Sequence, residues 1–297
     1  MYDALIVGGG PAGLNAALVL GRCGRNVLLC DANNPRNAVS WGVNGFLTRD
    51  GCKPADLRRI GRHELEAYPS VEVRDIEVTD VERTEQGFAI TLADGRREEA
   101  HKLLLATGLV EDLPEIEGFA ELWGHSVHHC PYCDGWENRG RPVAVYAKSR
   151  DGVGLALEMR VWSEDVTLCT DGYKLSPRDR ARLKRHGVAV NEAPVERLER
   201  DDEGLRCIRF KTGETLPRHA VFFIHGRRKI SELVLKLGCE LDEKGTVRTR
   251  AYEKTNVPGL YVAGDASRRV QFGIVAAAEG AMAAFAMNTE LIKERLR

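Results

Sequence analysis

Gly8-x-Gly10-x-x-Gly13 constrains the fold more tightly than any other stretch, because it stands between an apolar run, Asp3 to Val7, and a segment of helical apolar spacing, Pro11 to Arg22. A second apolar run, Asn26 to Cys30, follows, so the chain opens with a βαβ unit. In such a unit the glycines have separate tasks. Gly8 makes the tight turn, Gly10 lets the backbone approach a pyrophosphate, and Gly13 lets helix and strand pack closely. A diphosphate would rest where Pro11 and Ala12 open the helix, since the free N–H groups and the macrodipole there favour anions. Asp31, ending the second strand, is placed to accept hydrogen bonds from an adenosine ribose.

Further along, a capped helix spans Pro54 to Ala67, and alternating stretches run from Val71 to Thr84 and from Phe88 to Leu92. Asp94-Gly95 marks a hairpin. Leu103 to Ala106 reads as another buried strand, closed by Thr107-Gly108. After a polar, proline-bearing linker from Glu111 to Glu117, strand, helix and strand patterns recur at Val143 to Tyr146, Gly152 to Trp162 and Asp165 to Cys169. This internal repeat of the opening unit continues to about Asp242. Then Tyr261 to Ala266 and a helix from Gln271 to Leu296 read as the return of the first domain. The expected fold class is α/β, with two Rossmann-like three-layer domains, one inserted into the other. The expected boundaries are 1–113, 114–242 and 243–297.

Cys130-Pro131-Tyr132-Cys133 lies in the inserted part, followed at once by Asp134. Such a pair can close a disulfide across one tight turn, and its first thiol can be acidified by the local helix and neighbouring charge. The adjacent acid can give or take the proton that thiolate chemistry requires. One Cys-x-x-Cys is also half of a tetrahedral zinc site, with His125, His128 and His129 nearby, but no second Cys-x-x-Cys exists, and no metal site is expected. The same tetrapeptide occurs in glutaredoxins, where it follows the first strand of a small domain. Here it is far from the N-terminus.

At 297 residues the chain can bury two ordinary cores. A formal net charge of −1 argues against a nucleic-acid partner, which needs a basic surplus on one face. The basic cluster Arg178 to Arg185 has acids nearby and reads as a solvated helix face. Ala4 to Leu20 lacks a basic n-region and is broken by Gly-Gly-Gly-Pro, so it is not a signal peptide. The run Ile274 to Met287 contains Glu279 and is too short to span a bilayer. A soluble, cytoplasmic protein is expected, in which Cys23, Cys30, Cys52, Cys169, Cys207 and Cys239 are buried thiols.

Gly8 to Gly13, Ala106-Thr107-Gly108, Cys130 to Gly135 and Gly264-Asp265-Ala266 stand in the order found in low-molecular-weight thioredoxin reductases, and the chain resembles that family over essentially its whole length. The resemblance implies an FAD domain made of the first and last segments, with the dithiol in the inserted one, and a homodimer. It implies that Gly8, Gly10 and Gly13 hold the FAD pyrophosphate and Asp31 the ribose. Asp265 would bind the ribityl and phosphate portion, and the helix beginning near Gln271 would be directed at the flavin ring. Cys133 would face the flavin, Cys130 would attack an external disulfide, and Asp134 would be the acid/base.

The departures matter as much. Where nicotinamide-dependent relatives carry a second glycine fingerprint, this chain has Ala147, Lys148, Ser149 and then Gly152. Side chains at Ala147 and Ser149 would crowd a pyrophosphate. The basic cluster that holds the NADPH 2′-phosphate is replaced by Thr170-Asp171-Gly172, and Asp171 would repel that phosphate, though an acid there can suit the free ribose of NADH. The chain thus resembles the branch that dispenses with NADPH: ferredoxin-linked reductases, diflavin disulfide oxidoreductases, and oxidases that close metabolite dithiols with oxygen. Ser231-Glu232-Leu233 to Gly238-Cys239-Glu240 and the ending through Ala281 also resemble that branch. His128 and His129, directly before Cys130, resemble the dithiol oxidases, and a histidine there can take a thiol proton or simply pack. The expected activity is FAD-dependent dithiol/disulfide exchange without NADPH. The substrate would be thioredoxin or a small disulfide or dithiol, and the electron partner ferredoxin, a second flavin or oxygen. Nicotinamide-dependent thioredoxin reduction and a non-catalytic flavin redox sensor are the competing readings.

Overall fold

The computed structural model describes residues 1–224, 229–268 and 270–296. Two compact units share the chain. One takes Met1–Ala38, Gly45–Glu111 and Arg227–Arg297, the other Val39–Asn44 and Asp112–Gly226.

The first unit opens with β1 (Tyr2–Val7), α1 (Pro11–Arg22) and β2 (Val27–Cys30). There follow α2 (Pro54–Leu65), β3 (Val71–Arg74), β4 (Val78–Arg83), β5 (Phe88–Leu92), β6 (Arg97–Leu105) and β7 (Leu109–Val110). The second unit holds β8 (Val127–His128), the single turn α3 (Pro131–Asp134), β9 (Val143–Ala147), α4 (Asp151–Met159), β10 (Val166–Cys169), α5 (Pro177–Arg185) and β11 (Val188–Asn191). It ends with β12 (Val195–Asp201), β13 (Gly204–Phe210), β14 (Thr215–Pro217) and β15 (Ala220–Ile224). The chain then returns through β16 (Lys229–Ile230), α6 (Glu232–Lys236), β17 (Leu260–Val262) and α7 (Gly273–Arg295).

The first sheet runs β3-β2-β1-β6-β5-β4, with β17 also paired to β6. Its strands β2, β1, β6 and β17 are parallel and in step: Val7 faces Cys30 on one side and Leu105 on the other, and Leu105 faces Val262. All four therefore end along one edge. On one face Leu14, Ala17 and Leu20 of α1 pack with Ala283 and Met287 of α7 against Ile6 and Leu104. These helices touch closely because Gly280 has no side chain: a Cβ there would lie 2.0 Å from the Ala12 carbonyl oxygen. The other face buries Leu5, Leu103 and Val262 against Phe88, Ile90, Val234 and Val247.

The second sheet, β11-β10-β9-β15-β8, is wholly parallel. α4 and α5 cover one face through Val153, Met159 and Leu183, and the antiparallel layer β12-β13-β14 covers the other through Leu198, Ile208 and Phe210. Both units are three-layer α/β structures, as the periodicity predicts.

Several boundaries differ from the sequence expectation. The return to the first unit comes before residue 243, because β16 pairs with β7 and Leu233, Val234 and Cys239 belong to the first core. Val71 to Thr84 divides into β3, parallel to β2, and β4, antiparallel to β5. The last helix starts at Gly273, with Gln271 in the preceding loop. Cys23 is exposed and Cys52 half-buried, whereas Cys30, Cys169, Cys207 and Cys239 are buried. Among the described residues no helix is long and apolar enough to cross a membrane.

Candidate active site

In the first unit, four loops leave the aligned ends of β2, β1, β6 and β17, and they carry the fingerprint residues Asp31, Gly8 to Gly13, Thr107 with Gly108, and Gly264 with Asp265. The glycines differ in kind. Gly8 has φ +110°, and a Cβ there would stand 2.3 Å from the Ala106 carbonyl oxygen. A Cβ on Gly13 would stand 1.9 Å from the Gly8 carbonyl oxygen. Both are demanded by the chain itself. At Gly10 a Cβ would meet no protein atom within 4 Å, so nothing in the fold requires its small size. Gly10 is the N-cap of α1, Pro11 occupies the first turn, and no acid stands there to oppose an anion. Thr107 Oγ1 is buried and, among the described residues, unpartnered. An open cradle, an unopposed helix N-terminus and an unsatisfied hydroxyl fit a dinucleotide.

Two acids expected to meet the ligand have protein partners. Asp31 accepts from Arg58 and Arg62 at 2.7 and 2.6 Å. Asp265 accepts from Arg36 at 2.9 Å and lies ahead of the Phe272 N-cap of α7. Arg36 also donates to Glu111 Oε2 at 2.9 Å and Gln271 Oε1 at 3.0 Å, so one guanidinium ties together three loops. Sequence reasoning missed Arg36, which follows Pro35 and opens a short 3-10 turn, Arg36–Val39, without periodicity.

In the second unit Cys130 and Cys133 form a disulfide with Cα atoms 5.3 Å apart. Cys130 is the extended N-cap of α3, and its carbonyl accepts from the Cys133 and Asp134 amides, each at 3.2 Å. α3 is a single turn of four residues. Gly135 is compelled by packing, since a Cβ would sit 2.4 Å from the Pro131 carbonyl oxygen and 2.7 Å from the Trp162 ring. Asn44 donates to the Cys133 carbonyl at 2.7 Å and Asn138 to that of Asp134 at 2.8 Å.

Burial, aided by the charge of Glu137, raises the Asp134 carboxyl to about 7. His128 is buried against Phe222, with Nδ1 3.5 Å from Asp134 Oδ1 and Nε2 without a partner among the described residues. Burial foremost, with the charge of His125, lowers it to about 4. A neutral imidazole therefore adjoins a carboxyl poised to exchange a proton near neutrality. His129 is half-buried and packs its ring at a tilt against Trp123. Among the described residues no three His, Cys, Asp or Glu side chains are grouped as a metal site.

In the second sheet β9 and β10 likewise end side by side. Ala147 is fully buried, and a Cβ on Gly152 would come within 2.7 Å of the Ala147 Cβ, so this alanine packs under α4 rather than crowding a pyrophosphate. Ser149 Oγ accepts from the Asp151 amide at 3.2 Å, and Asp151 stands in the first turn of α4. Asp171 has protein partners of its own. It accepts from Tyr146 Oη at 2.8 Å and the Val195 amide at 2.7 Å and pairs with Lys148 Nζ at 2.9 Å.

Two nucleotide-type α/β units, one with an open glycine cradle and the other with a redox dithiol, define a dinucleotide-linked disulfide oxidoreductase. The chain belongs to the pyridine nucleotide-disulphide oxidoreductase family, whose model matches residues 2–280. It is 30% identical over 99% of its length to the "Probable thioredoxin reductase" of Arthroderma benhamiae, covering 81% of that protein. The crystal structure of HlmI superposes with a TM-score of 0.94 at 37% identity, covering 99% of this chain and 93% of that one. An oxidoreductase from Agrobacterium tumefaciens superposes with a TM-score of 0.92 at 32% identity, covering 98% of each. The protein is thus a thioredoxin-reductase-like, FAD-binding oxidoreductase.

Proposed function

We propose that this enzyme exchanges electrons between FAD and the Cys130/Cys133 pair without NADPH. The observation that carries the reading is the contrast between the two strand ends. α1 follows bare Gly10 and has no acid in its first turn, whereas α4 follows Arg150 and carries Asp151 in its first turn, the Asp151 amide donating to Ser149 Oγ. The second strand end therefore offers a poorer site for a dinucleotide diphosphate than the first.

Gly8, Gly10, Gly13, Thr107, Gly108, Gly264, Asp265 and Gln271 would hold the FAD, which supplies or accepts an electron pair when bound. The disulfide takes two electrons and two protons to become a dithiol. Cys130 thiolate then attacks an external disulfide, forming a mixed disulfide and expelling one thiolate. Cys133 thiolate attacks the Cys130 sulfur, expels the second thiolate and restores the internal disulfide. Asp134 protonates a leaving thiolate, with His128 orienting its carboxyl. Run in reverse, the sequence oxidises a dithiol. The substrate is thioredoxin or a small disulfide or dithiol, the electron partner is ferredoxin, a second flavin or oxygen, and the working form is a cytoplasmic homodimer. Relatives named as thioredoxin reductases support a thioredoxin-type partner.

The same relatives and the family's name favour a second reading, nicotinamide-dependent reduction. Anaerobic stopped-flow mixing separates the two. Flavin bleaching by NADPH and by NADH should both be far slower than turnover, and bleaching by either at about 1–10³ s⁻¹ would overturn the proposal.

A further inference from the structure

At the end of β2, two arginines of α2 converge on one acid. Asp31 Oδ2 accepts from Arg58 Nη2 at 2.7 Å and from Arg62 Nη2 at 2.6 Å, while Oδ1 accepts from the Asn33 amide at 3.1 Å. Arg58 Nη2 also reaches Asn33 Oδ1 at 2.5 Å, and Arg62 Nη1 pairs with the exposed Asp75 at 2.6 Å. The Asp31 and Arg58 side chains are 9% and 13% exposed, and the two guanidiniums are balanced by the carboxylates of Asp31 and Asp75. Both arginine Nε–H groups are buried, and among the described residues neither has an acceptor. Unmet buried donors call for a group rich in acceptors.

Position says which group. A Cβ on Gly9 would come within 2.3 Å of Asp31 Oδ2, so the acid lies against the glycine turn. Along the strand edge β2 stands on one side of that turn, and β6 and β17, with Thr107 and Asp265, stand on the other. A dinucleotide centred on Gly10 places one half on each side. Burial acts to raise the Asp31 carboxyl, but hydrogen bonds from Arg58, Asn33 and Arg62 outweigh it and hold the group below its ordinary range.

We propose that Arg58 and Arg62 clamp the adenosine monophosphate half of FAD, fixing Asp31 toward the ribose hydroxyls and giving their free N–H groups to the acceptors of that half. This rests on FAD being the cofactor of the first unit. FMN, which lacks this half, supplies the control. Flavin-fluorescence titration of apoprotein should show R58Q binding FAD about tenfold or more weaker, with FMN affinity unchanged. R62Q, at the more exposed side chain, should do the same and serves if R58Q does not fold. Unchanged FAD affinity in both variants would overturn the clamp. So would equal losses of FAD and FMN affinity with a lowered melting temperature, which mark a purely structural pair. An unaltered chain that takes up neither flavin would overturn the cofactor assignment, and the clamp with it.

Discussion

Near pH 7 Asp134 stands at the midpoint of its titration, so its protonation state reports the direction of the chemistry. Reduction of an external disulfide needs the acid form, and its rate should fall as pH rises through about 7; dithiol oxidation needs the base form and should gain over the same interval. Asp134→Asn should slow turnover about 10²-fold or more and flatten that step. The sign of its stability effect is opposite. A carboxyl whose folded pKa is raised from 3.8 to about 7 stabilises the fold fully below 3.8, and that contribution is gone above about 7. The amide never ionises, so Asp134→Asn should unfold later in urea at pH 8, by about 4 kcal/mol at most. His128, lowered to about 4, behaves in the contrary sense: the unfolded chain binds its proton first, so stability falls as pH drops from 6.5 to about 4. His128→Leu should abolish a loss of about 3 kcal/mol across that window, measured by urea unfolding at each end. The catalytic tetrapeptide was plain in the sequence. The burial that raises Asp134 was not, because it depends on packing that only the folded chain brings together.

The turn between β1 and α1 separates packing from ligand binding within six residues. Gly13→Ala gains about 1 kcal/mol of helix propensity but drives a Cβ into the Gly8 carbonyl, and overpacking of about 3 kcal/mol wins, so the apoprotein should melt earlier. Gly10→Ala meets no protein atom, so it should leave the apoprotein's melting curve in place while weakening FAD affinity in a fluorescence titration. Glycine spacing and strand periodicity made β1, α1, β2 and their repeat at β9, α4 and β10 readable in advance. The role of α2 was not readable, since Arg58 and Arg62 sit four apart on an amphipathic helix and look like any solvated face until β2 brings Asp31 beneath them. Likewise Asp171 invites a nucleotide reading in sequence, and only folding brings Tyr146, Lys148 and the Val195 amide to its oxygens.

For the whole molecule the decisive question is which sulfur communicates with the flavin. In flavin-loaded protein Cys130→Ser should develop a long-wavelength absorbance band from a Cys133 thiolate, and Cys133→Ser should show none; a band only in the latter reverses the roles. The order of domains along the chain followed from the repeat, yet a short excursion escaped notice: Val39–Asn44 belongs to the dithiol unit although both its flanks belong to the other. Six residues without periodicity announce nothing. They nonetheless supply the Asn44 hydrogen bond to Cys133, and Val39 packs where a Cβ on Gly124 would come within 2.5 Å. The chain therefore passes between its units four times rather than the two that a simple insertion requires. For anyone building chimaeras from relatives of this enzyme, the transferable module is consequently discontinuous: a donor segment spanning residues 112–226 would arrive without its own brace on the dithiol turn, and residues 39–44 must be exchanged with it.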